Sequence, residues 1–175
     1  MLEDLAIQYV NQSEENLRLI GYGFVLLGGV ISGVVSRSTM VLLRAPYFVF
    51  SGILLLSTAA IQFIWLGSLS AMAGGYVWVF FSVEVISSIT IGYFYGIIAM
   101  ARSRDAYGHA RNAALAFIPF ANILLLSKPT KNELLATPTI AALTGGVGVL
   151  IGSVMLAAGI GMSQYLTIMM QRQVE

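Results

Sequence analysis

Between Gly75 and Ala101 the chain carries one charged side chain, Glu84. About 20 apolar residues in a helix cross the roughly 30 Å hydrocarbon core of a bilayer. This stretch therefore reads as a membrane span with a carboxylate inside it. A charge at that depth costs about 2.5–3.5 kcal/mol on insertion scales, so such a residue is normally paired, protonated or turned toward protein. Three further stretches, 17–36, 46–69 and 139–169, meet the same length criterion. The expected fold is an all-α integral membrane protein: one membrane domain over residues 1–175, built as a four-helix transmembrane bundle with interfacial or re-entrant helices at its N-terminus and on its cytoplasmic side.

Composition supports a membrane class. The chain is 58% hydrophobic and 10% charged, against about 25% charged in soluble domains. Its 175 residues leave no room for a soluble catalytic domain beside four spans. A net charge of +1 gives no nucleic-acid footprint. Cysteine is absent, which excludes disulfides, thiolate metal sites and iron–sulfur ligation. The sequence implies no cofactor and no metal. It also holds no nucleophile elbow, metal-binding helix motif or phosphate loop, so no residue is assigned as catalytic and the chain is expected not to be an enzyme.

The start is acidic, with Glu3, Asp4, Glu14 and Glu15, whereas a cleavable signal peptide begins basic. Leu2, Leu5, Ala6 and Tyr9 recur at helical spacing, so residues 1–12 read as an amphipathic helix at the interface. Ser13 is placed to cap the helix that follows, and Glu14 and Glu15 suit its positive end. Residues 110–127 are harder to place. Their apolar part is short, and Pro119 and Asn122 interrupt it. An interfacial or re-entrant helix pair is expected there instead of a fifth span. Within it, Ile118-Pro119-Phe120-Ala121-Asn122 and the aliphatics up to Lys128 resemble a short motif of small bacterial membrane proteins. The resemblance implies a bacterial origin and says nothing of an activity.

Basic residues set an orientation. Arg37 and Arg44, then Arg102, Arg104, Arg111, Lys128 and Lys131, fall on one side of a four-span chain, and the positive-inside rule makes that side the cytoplasm. Both termini are then outside, most simply in a bacterial inner membrane. Arg102, Arg104, Arg111, Lys128 and Lys131 form a candidate surface for anionic lipid or an acidic partner. His109, the one histidine, is expected in a solvated loop.

Two further features bear on function. Spans two and three form a hairpin in which Gln62 and Glu84 mirror each other about Ala73, at similar depth. Glu84, Gln62, Ser87 and Ser88 are therefore the candidate intramembrane polar site, with Glu84 expected to be structural, protonated and hydrogen-bonded to Gln62. Small residues also recur every four positions, and Gly29, Gly33, Gly92, Gly96, Gly148, Gly152 and Gly161 mark candidate helix-packing faces. Such faces serve either the chain's own bundle or a neighbouring subunit.

The expected function is a non-catalytic accessory or scaffold subunit of a larger membrane complex. Its partners are membrane lipids and other integral membrane subunits, in a hetero-complex by preference or a homo-oligomer. The alternative is a small homo-oligomeric channel or transporter that uses Glu84 as a proton or cation site.

Overall fold

The computed structural model describes residues 1–66, 75–118, 120–129, 143 and 145–174. For Glu14, Gln62, Ile64, Trp65, Leu66, Thr167 and 170–174 it describes the backbone only. The elements are α1 (Leu2–Val10), α2 (Glu14–Val35), α3 (Arg44–Leu66), α4 (Val77–Tyr107), a 3₁₀ segment (Ala110–Phe117), α5 (Asn122–Ser127) and α6 (Gly145–Val174). Helices α2, α3, α4 and α6 are long and apolar enough to cross a membrane. The protein is an all-α membrane bundle. The expected loop 70–74 and the N-terminal part of the fourth span, 139–142 and 144, lie outside the described residues.

Local chemistry sets the ends. The Ser13 hydroxyl accepts the Asn16 N–H at 3.4 Å and caps α2. Helix α4 does not stop at Ala101 as expected. It continues through the charged run to Tyr107, because Arg102 and Asp105 pair one turn apart within it. Gly108 then ends it in the left-handed region, φ +82°, where its N–H bonds the Arg104 carbonyl at 2.8 Å.

The long helices pack as two parallel pairs. In the first, Gly92 of α4 lies against Val25 of α2, Gly28 against Ile89 and Tyr93, and Gly96 against Ser32. In the second, Gly148 of α6 lies near Ala45 of α3, Gly152 against Phe48 and Val49, Gly52 against Met155, and Gly159 against Leu55. Contacts advance in the same direction along both members of each pair. Small residues permit this because they let two backbones approach closely. A Cβ on Gly152 would meet the Phe48 Cβ at 2.8 Å, and one on Gly52 would meet the Met155 Cβ at 2.7 Å.

Neither part of 110–127 has the length of a span. The 3₁₀ segment has 8 residues and α5 has 6. Both fold back on α4. With the loop before α3 they enclose the buried apolar cluster of Leu42, Tyr47, Ala99, Ala101, Ala113, Ala116 and Leu125. The Leu42 N–H bonds the Ala101 carbonyl at 3.1 Å, which ties that loop to α4. This buried apolar cluster thus lies at the end of the bundle that carries the basic residues. Elsewhere apolar side chains such as Leu19, Val34, Ile86 and Leu150 are exposed on the outer faces, as contact with lipid requires.

Candidate functional site

Two polar centres occupy opposite ends of α4. The first contains Glu84, two turns into the helix and about 10 Å below its start. Helix α1 reaches it from the end of the bundle. The Tyr9 hydroxyl donates to Glu84 Oε1 at 2.6 Å, and the Tyr9 ring lies 5.0 Å from that of Phe81. Ala6 is fully buried on the same face of α1. Glu3 Oε2 accepts the Trp78 N–H at 3.2 Å. That N–H belongs to the first turn of α4, where backbone donors lack helical partners and the helix dipole is positive. Burial, and then the hydrogen bond to Glu84, hold the Tyr9 phenol above its ordinary value of 10.0.

Of the expected companions of Glu84, Ser87 and Ser88 follow it half-buried on α4, and the Gln62 side chain lies outside what is described. Tyr9 was not among them. One signal pointed to it: on the apolar stripe of Leu2, Leu5, Ala6 and Tyr9, the phenol is the one hydrogen-bonding side chain.

The second centre corrects the expected basic surface. Arg102 is fully buried and does not belong to that surface. Its guanidinium pairs with Asp105, which is also fully buried, donates from Nε to the Leu125 carbonyl at 2.9 Å, and donates from its second terminal nitrogen to the Lys128 carbonyl. Leu125 and Lys128 stand at the C-terminal end of α5, where carbonyls lack helical donors. One planar fork of donors therefore closes that helix onto α4. Lys128 extends back so that its Nζ lies 3.6 Å from the centroid of Tyr107, a cation–π contact.

A chain of hydrogen bonds backs this clamp. The Tyr47 hydroxyl donates to Asn122 Oδ1 at 2.7 Å, Asn122 Nδ2 donates to the Tyr95 hydroxyl at 2.9 Å, and Tyr95 donates to the Ala116 carbonyl at 3.1 Å. Tyr22 of α2 donates to the Phe117 carbonyl, and Ser103 to that of His109 at 2.7 Å. Asn122, which interrupts the apolar pattern in sequence, is the residue that joins α3 to α4.

The other basic residues are dispersed. Arg104 is half-buried and donates to the Met40 carbonyl at 3.1 Å. Arg111 and His109 are exposed, and Lys131 lies outside the described residues. The glycines also separate. Gly92, Gly96, Gly148 and Gly152 are used inside the chain, and Gly29 receives the Phe117 ring. Gly33 and Gly161 meet open space. Gly28, Gly52 and Gly159 carry packing that the four-residue spacing of the other glycines did not mark. Gly28 and Ser32 are nevertheless a small pair at that spacing, as valid as Gly29 and Gly33.

Among the described residues no group of three or more His, Asp or Glu side chains could hold a metal ion. Chemically, both centres fasten segments that do not span: α1 at one end, and the 3₁₀ segment with α5 at the other. No protein-family model, curated protein or solved structure matches the chain.

Proposed function

We propose that the chain is a non-catalytic accessory or scaffold subunit of a larger membrane complex, and that its basic end is the docking platform. The buried Arg102 clamp is the observation that carries this reading. A buried ion pair is poor evidence for stability, because desolvation offsets most of its attraction. Its effect here is to fix α5 on α4, while Tyr95 and Tyr22 hold the 3₁₀ segment beside it. A surface ordered before binding loses less entropy when a partner docks. The fixed segment presents Arg111 and Phe120, the latter 86% exposed at φ +66°. Aromatic and arginine side chains are the residue types enriched at interface hot spots. By the positive-inside rule this platform is cytoplasmic, in a bacterial inner membrane, with both termini outside. It suits an acidic cytoplasmic segment of another integral membrane subunit. Gly33 and Gly161 add flat strips for helix contacts within the bilayer.

The test is gentle detergent purification with identification of the chains that come with the protein. Phe120→Ala combined with Arg111→Gln should strip them while the variant still inserts. The reading fails if wild type brings no other chain, or if the double variant recovers the same set. A channel or transporter instead requires flux through Glu84. A proton- or cation-dependent flux in proteoliposomes that disappears with Glu84→Gln would replace the scaffold reading.

A further inference from the structure

Beside the clamp, on the flank that faces lipid, α3 and α4 leave a cavity of about 280 Å³ between them. Every residue that lines it is apolar. Phe94 to Ala101 form one wall over two turns of α4, about 10 Å long. Phe50 and Leu54 of α3 form the other wall, and Met40 and Leu42 of the preceding loop close the basic end. Ile53 and Phe94 are part of the lining and are also exposed, so the cavity opens sideways.

Arg104 stands at the closed end. It follows Ile97 by seven residues, two turns further on the same face of α4. Its hydrogen bond to the Met40 carbonyl holds the guanidinium at the rim that Met40 forms. A guanidinium has five donors, and their fork matches a phosphate. Asp105 is the acidic residue described at this end, and it is bound to Arg102. The site is therefore an apolar slot parallel to a spanning helix, ending at a fixed cation.

We infer that this slot binds one acyl chain of an anionic glycerophospholipid from the surrounding bilayer, with Arg104 holding the headgroup phosphate. A polar small molecule would need hydrogen-bonding groups within the slot to orient it, and the lining offers only hydrocarbon and sulfur. The fit of charge at one end and hydrocarbon along the length is that of a lipid. The inference is independent of the docking platform, because the slot opens on the membrane flank and neither Arg111 nor Phe120 lines it.

Native mass spectrometry of the full-length protein tests it, with phosphatidylglycerol or phosphatidylcholine of matched chains added. Wild type should retain phosphatidylglycerol about fivefold more than phosphatidylcholine, the scale set by one basic residue near a membrane surface. Arg104→Gln should abolish that preference, and Arg104→Lys should keep most of it. Ile97→Trp, which fills the slot, should lower retention of both lipids. Leu54→Trp does so from the opposite wall and gives the reading if Ile97→Trp loses its fold. Leu150→Trp, on the exposed face of α6, should change neither. Equal retention of the two lipids by wild type overturns the inference. So does a preference that survives Arg104→Gln, or slot-filling variants that behave like Leu150→Trp.

Discussion

Tyr9 and Glu84 form one of the contacts that hold α1 on the bundle, beside the Glu3–Trp78 hydrogen bond and the packing of Tyr9 on Phe81. The phenol comes from a helix outside the membrane-spanning set and reaches an acid two turns inside one. A proton on the phenol is required for that contact, and its native environment holds the proton more firmly than an unfolded chain would. The folded state therefore binds more protons than the unfolded state above pH 10.0, so docking of α1 weakens as pH rises beyond it. A nitroxide attached at Gln8 of this cysteine-free chain should gain mobility in that range. Tyr9→Phe should raise the label's mobility at neutral pH and remove the alkaline step. Glu84→Gln keeps an acceptor for the phenol, so the label should stay ordered; full release of α1 by that variant would refute the view that a neutral hydrogen bond is all Glu84 supplies to that contact. Polar couplings inside membranes average only about 0.6 kcal/mol, so global stability should change little in either variant.

At the level of helices, the small residues act as registration marks. Gly152→Leu puts a branched side chain where a Cβ alone would already lie 2.8 Å from Phe48. Overpacking of this kind costs about 1–3 kcal/mol. Gly152→Leu and Gly92→Leu should each lower the thermal midpoint in detergent, whereas Gly33→Leu and Gly161→Leu should leave it near wild type. Equal losses in all four would contradict the pairing. Four apolar stretches of spanning length were legible in sequence, and the described residues hold four helices long and apolar enough to cross; their extent was not, since α4 runs past Ala101 to Tyr107. The shortness of the apolar part of 110–127 was legible too. Pair identity was not legible. Gly28–Ser32 and Gly29–Gly33 are separated by one residue, a rotation of about 100° on a helix. The choice between them depends on Phe117, which fills the space beside Gly29 from a segment far along the chain. The burial of Arg102 was hidden for a similar reason. Its environment is made by Leu125 and Lys128 folding back, and nothing next to Arg102 in sequence records that.

For the whole molecule, the two parallel pairs place α1 and the start of α4 at one end, and the Arg102 clamp with the 3₁₀ segment at the other. If the basic end is cytoplasmic, a cysteine at Ser13 should react with an impermeant reagent added outside, and one at His109 should not; both side chains are exposed. Reaction at His109 alone would invert the protein in the membrane. The pairing also has a consequence for synthesis. Helices made one after another, α2 with α3 and α3 with α4, are not the ones that pack most closely through glycine. Helix α3 meets α6, and about 80 residues separate the end of one from the start of the other. At 5–20 residues per second the ribosome needs roughly 4–16 s to make that interval. During it the Gly52 face of α3 sits in the bilayer without the helix that covers it in the finished fold. Any other chain that reached the Gly52 face would have to do so within that interval, before α6 covers it.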